Sequence, residues 1–131
     1  MLIKLRDEIH KNAVAHGWWE EERSFAEIIA LCHSELSEAL EEYRNKKPML
    51  YYQCEYHDTR IKCPDQYDGC QYGKNKGCNL LKPEGIASEL ADTIIRILDY
   101  CGKMNINIEE TIRIKHEYNK TRPHRHGGKR I

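Results

Sequence analysis

Residues 33–42, "HSELSEALEE", decide how the rest of the chain is read. The stretch has the spacing of a helix, yet Glu35, Glu38 and Glu42 recur three and four residues apart. That spacing stacks them on one helical face, where like charges repel by about 0.2–0.5 kcal/mol per pair. Ile28 and Leu31 lie one turn away, so these glutamates border the apolar face of their helix. A helix that gathers carboxylates at the edge of a core asks what neutralises them.

Working outward, Ser24 reads as an N-cap, with Glu27 three residues on completing a capping box. The helix runs to about Lys46, carries Phe25, Ile28, Ile29, Leu31, Leu36, Ala39 and Leu40, and stops before Pro48. Upstream, residues 3–16 form a short amphipathic helix on Ile3, Leu5, Ile9 and Val14, broken at Gly17. Downstream, "PEGIASELADTIIRILDYCG" (83–102) is again strongly helical and ends at Gly102. Asn107 caps a last helix, "IEETIRIKHEYNK", before Pro123. No stretch alternates with period two over a useful length. The expectation is a single all-α domain over 1–131, a four-helix bundle-type protomer. A Cys-rich irregular insert, 48–83, separates the two acidic helices, and 121–131 is a basic tail.

Length and charge bound the function. A chain of 131 residues can build a real core. Lys+Arg and Asp+Glu are equal at 21 each, which argues against bulk nucleic-acid binding and against a membrane surface. No apolar run approaches the roughly 20 residues that span a bilayer. "MLIKLRDEIHKNAVAHG" is charged throughout and has no apolar core of a secretory signal. The expected location is the cytoplasm, where the six cysteines would be thiols or metal ligands.

The third helix repeats the puzzle of the second. Glu89, Asp92, Arg96 and Asp99 fall within about one quarter of its circumference, and Ile86, Leu90, Ala91, Ile94, Ile97, Leu98 and Cys101 fill the rest. Two such stripes are either solvated edges and salt-bridge partners, or carboxylates buried together. In the second case they must protonate, pair or bind a metal. Four oxygen donors, Glu35, Glu38, Glu89 and Asp92, suit hard Mg²⁺, which keeps waters and usually takes a phosphate as a further ligand. A di-iron carboxylate bundle would need Glu-x-x-His on two helices. No Glu in this chain has a His three residues later.

"SELSEALEE" followed by "SELADTIIRILD" resembles the paired ExxE and ExxD motifs of the MazG-like, all-α nucleoside triphosphate pyrophosphohydrolases. "KHEYNKTRPHRHGGK" (115–129) looks like the C-terminal segment of that family's single-domain phage and bacterial branch. The resemblance covers most of the chain outside 48–83. It implies Mg²⁺-dependent hydrolysis of a nucleoside or deoxynucleoside triphosphate to monophosphate and pyrophosphate, with Mn²⁺ as a substitute metal. It also implies a homo-oligomer, a dimer or tetramer. Carried over by position, Glu35, Glu38, Glu89 and Asp92 are the metal ligands and catalytic carboxylates. Lys115, Asn119, Arg122 and Lys129 become the phosphate clamp, with Arg able to bind bidentately; a solvated terminus is the alternative. His10 and Trp19 match positions where relatives contact the base, while a Trp18–Trp19 pair closing the end of the bundle is an equal reading.

The insert departs from the family pattern. Cys54, Cys63, Cys70 and Cys78 could bind one structural Zn²⁺, which a loop poor in aliphatic residues would need to fold. Unligated thiols and a redox role stay open. Cys32 and Cys101 fall on apolar helix faces and read as core. The rival function is a zinc-stapled nucleic-acid or protein binding module on an inactive helical scaffold. Lys74, Lys76 and Lys82 with Tyr51, Tyr52 and Tyr72 favour it, and the unexplained acidic stripes oppose it.

Overall fold

The computed structural model describes residues 1–54 and 81–130, apart from the side chains of Cys54 and Leu81. The chain is mostly helical, with four main helices: α1 (Leu2–Ala15), α2 (Phe25–Arg44), α3 (Ile86–Lys103) and α4 (Ile108–Lys120). Between α2 and α3 stand two short strands, β1 (Tyr51–Cys54) and β2 (Leu81–Glu84). The chain forms two compact units, Met1–Ile28 with Ile95–Ile131, and Ile29–Ile94.

Helix ends follow local chemistry. Ser24 and Glu27 close the capping box in both directions: the Ser24 amide donates to Glu27 Oε2 at 2.6 Å, and the Glu27 amide donates to Ser24 Oγ at 3.2 Å. Asn107 accepts from the Glu110 amide at 3.1 Å and starts α4. Three helices end in the same hydrogen-bond pair. Gly17 and Trp18 close α1 on Val14 and Ala13, Lys46 and Lys47 close α2 on Tyr43 and Glu42, and Asn105 and Ile106 close α3 on Gly102 and Cys101. Each first residue has positive φ, the left-handed cap that satisfies the last carbonyls. Only the first of these caps is a glycine.

In the unit that contains both chain ends, α1 meets α4. The Ile3 amide, one of the unsatisfied donors of α1, reaches Glu109 Oε2 on α4 at 3.1 Å. That bond, ahead of the other influences, holds the Glu109 carboxyl below its ordinary value. Arg6 is buried and donates to the Ile106 carbonyl at 2.7 Å. Leu98, Cys101 and Ile28 are the buried apolar side chains here. Gly102 does not end α3. It lies inside the helix where a Cβ would sit 2.5 Å from His10 Cβ, so α1 approaches α3 too closely for any side chain.

In the other unit, α2 buries Cys32, Glu35 and Ala39, spaced as one helical stripe, and α3 buries Glu89 and Thr93. Large apolar residues of the same helices, among them Leu36, Leu40, Tyr43 and Leu90, are exposed. The expected irregular insert begins differently. Strands β1 and β2 pair antiparallel, Tyr51 opposite Glu84 and Tyr52 opposite Pro83. Four-residue strands give too little alternation to be read, and Pro83 and Glu84, read as the start of the helical stretch, belong to β2. A two-stranded ribbon has an open edge on each strand, where a residue without an N–H is tolerated. The zinc expectation on Cys54, Cys63, Cys70 and Cys78 lies outside the described residues.

Candidate metal site

Glu35 and Glu38 stand one turn apart on α2, and Glu89 lies in the first turn of α3. One carboxylate oxygen from each converges so that the three lie within 4.8 Å of one another. Glu35 is 7% exposed and Glu89 6%, while Glu38 faces solvent. The fourth expected ligand, Asp92, is half-buried one turn further along α3 and is not in that convergent set.

The strain falls on Glu89. Burial first, then the charges of Glu38, Asp92, Glu84 and Glu35, push the Glu89 carboxyl above its ordinary value. A buried carboxylate among carboxylates must take a proton, a cationic partner or a metal. Three oxygen donors, with no imidazole or thiolate joining them among the described residues, form a hard donor set, the kind that holds Mg²⁺, Mn²⁺ or Ca²⁺. The residues fit a metal ion.

The ribbon supplies a rim. Side chains two apart on a strand, and those directly opposite in the pair, share a face, so Tyr51, Lys82 and Glu84 project together. The Tyr51 hydroxyl donates to Glu42 Oε2 at 3.0 Å. Burial, that bond, and the charges of Glu42, Glu84 and Glu89 push the Tyr51 hydroxyl above its usual value. Lys82 Nζ lies 2.6 Å from Glu84 Oε1. Its hydrogen bond to Glu84, against an opposing effect of burial, holds the ammonium above its ordinary value, and the charges of Glu84, Glu89 and Asp92 add to this. Gly85 (φ +104°) fixes the ribbon to α3: a Cβ there would strike the Met49 and Pro48 carbonyls at 2.7 Å. The Ala87 amide donates to the Met49 carbonyl at 2.9 Å, and Ser88 Oγ to the Pro83 carbonyl at 3.0 Å.

The other unit holds a second polar cluster. His10 Nδ1 is 2.7 Å from Asp99 Oδ1, and Trp19 Nε1 donates to Asp99 Oδ1 at 2.9 Å and Oδ2 at 3.1 Å. The rings of His10 and Trp19 meet edge to face, and Lys103 Nζ lies 5.3 Å from the Trp19 centroid. His10 and Trp19, both expected at base-contact positions, lie against each other, and Asp99 joins them. In the same unit Lys115 Nζ and Arg122 both face the Tyr118 ring, and the Arg122 amide donates to the Asn119 carbonyl. Lys129 follows the short turn Arg125–Gly128 and is exposed.

Sequence reasoning missed the part played by Tyr51, Lys82 and Glu84. Tyr51 and Lys82 favoured the binding-module reading; in the structure Tyr51 bonds Glu42 and Lys82 pairs with Glu84. The available signal was the pattern Lys82-x-Glu84 opposite Tyr51-x-Gln53, legible only once the pairing is known. No helix among the described residues is long and apolar enough to cross a membrane.

These observations define a mostly helical protein with a carboxylate group, Glu35, Glu38 and Glu89, that could hold a metal ion. The chain matches no protein-family model, no curated protein and no solved structure.

Proposed function

We propose that the chain is a MazG-like nucleoside triphosphate pyrophosphohydrolase that works with Mg²⁺. The observation that carries this reading is the convergence of three carboxylate oxygens from two helices, two of the residues buried, around an acid whose ionisation the fold penalises. Glu35, Glu38 and Glu89 hold the metal, and Asp92 adds its charge. The chemistry a bound Mg²⁺ supplies is neutralisation of the phosphates and a lowered pKa of nearby water. Glu38 is the member of the set that solvent reaches, so it is placed to orient the attacking water. Water oxygen bonds to the α-phosphorus, the bond to the bridging oxygen breaks, pyrophosphate leaves, and the released proton passes through a carboxylate to solvent. Most of the rate enhancement is positioning and charge stabilisation.

Trp19 spends its N–H on Asp99, so what it offers a nucleobase is its ring face, which does not discriminate strongly among bases. The clamp reading for Lys115, Asn119, Arg122 and Lys129 is supported by Lys115 and Arg122, whose cations both face the Tyr118 ring. Leu36, Leu40 and Tyr43, at spacings of four and three, leave an exposed apolar stripe on α2 that a second copy of the chain would cover. Light scattering at micromolar concentration should report a dimer or tetramer; a monomer removes this element.

The deciding experiment is pyrophosphate release across all NTPs and dNTPs, with Mg²⁺ and with chelator. Metal-dependent release from at least one nucleotide, lost in Glu38→Gln, is expected. Absence of release from every nucleotide would overturn the assignment.

A further inference from the structure

The ribbon brings a cation to the rim of the carboxylate site. Lys82 and Glu84 lie two apart on β2, on the face shared with Tyr51, and Tyr51 is bonded to Glu42 of α2. The Lys82 side chain is 58% exposed and the Glu84 side chain 16%. The ammonium therefore stands on the solvent side of an ion pair whose carboxylate is shielded. Glu84 is in turn one of the charges felt by Glu89. The Gly85 close approach and the bonds of Ala87 and Ser88 fix this strand end to the turn of α3 that carries Glu89. Neither the ribbon nor Lys82 belongs to the acidic motifs on the two helices.

A polyphosphate stays anionic after taking up one divalent cation. On approach to Glu38 and Glu89 it meets repulsion from whatever carboxylate charge the metal and neighbouring groups have not cancelled. A cation at the rim removes that obstacle. An ammonium held by one charge-assisted bond can exchange that bond for one to a phosphate oxygen at little net cost.

We propose that Lys82 is a polyphosphate-binding residue of the carboxylate site, stored against Glu84 until a metal–polyphosphate complex enters. This rests on the metal reading of the site and adds the group that recognises the substrate's charge. It also gives the insert a part in activity, because β2 closes the insert and carries Lys82.

Inorganic tripolyphosphate with Mg²⁺, and Mn²⁺ alone, are the probes, titrated calorimetrically into the full chain and into Lys82→Met, Lys82→Arg and Arg44→Met. Arg44 pairs with Glu41 on the exposed side of α2 and controls for the loss of one positive charge. In Lys82→Met, binding of Mg-tripolyphosphate should weaken about tenfold or more, the size of one charged hydrogen bond. Mn²⁺ binding should hold or tighten, since a competing cation is gone. Lys82→Arg should restore most of the polyphosphate affinity, and Arg44→Met should match wild type. Wild-type polyphosphate affinity in Lys82→Met, or equal losses in Lys82→Met and Arg44→Met, would overturn the role of Lys82 while leaving the metal site standing. A wild-type chain that binds neither probe would overturn both.

Discussion

Glu89 and Asp99 are ten positions apart on α3 and belong to one acidic stripe, yet the fold treats them in opposite ways. Asp99 receives the Trp19 N–H on both oxygens and faces His10 at 2.7 Å. Glu89 faces Glu38, Asp92, Glu84 and Glu35, and burial with their charges raises its pKa. Burial alone does not separate them, since both are largely shielded. The chemistry of the neighbours does. A carboxylate given donors is a structural element, and a carboxylate given carboxylates is a place for a cation.

The largest effect should come from removing charge where the acids converge. On the proposed function, Glu89→Gln keeps the shape and should cut pyrophosphate release by about a hundredfold or more, because a metal held there would lose a ligand. Metal-free, this variant should unfold in urea at the same or higher concentration than wild type, as repulsion is relieved. A variant destabilised by the change would place Glu89 with Asp99 and dissolve the contrast.

Asp99→Ala should do the reverse. It strips the Trp19 indole and His10 of their acceptor and should cost about 2 kcal/mol in urea unfolding, the range for hydrogen bonds to a charged group. An unchanged midpoint would show that the cluster does not hold its unit together.

The smallest effect is a pH dependence. A carboxyl whose folded pKa is raised binds its proton more tightly in the native state than in the unfolded chain. Stability of the metal-free protein should therefore be unpenalised below the ordinary carboxylate value of 4.5, and should fall as pH rises from there through the raised pKa of Glu89. Saturating Mg²⁺ should flatten this slope by replacing the proton. Glu89→Gln should flatten it without metal, and a slope that persists in that variant would assign it elsewhere.

Much of this was legible in the sequence because it is local. The Ser24–Glu27 box, the Asn107 cap and the Glu35–Glu38 pair all act over three residues, within reach of pattern reading, whereas Glu89 joins that pair only in the fold. Asp99 was read as one more member of the stripe, because its partners lie 89 and 80 residues away along the chain. Gly102 looked like a helix stop, but its lack of a side chain serves contact with His10, and Asn105 takes the left-handed cap. The ribbon escaped notice because strands of four residues carry almost no period, and its meaning lies in which face it turns to α2 and α3.

Binding of Mn²⁺ followed by its electron paramagnetic resonance signal tests the central claim without any nucleotide. Wild type and Asp99→Ala should both take up the ion at a single strong site, and Glu89→Gln should bind it about tenfold more weakly or worse. Equal Mn²⁺ affinity in wild type and Glu89→Gln, or no strong site in either, would contradict a metal centre at Glu35, Glu38 and Glu89.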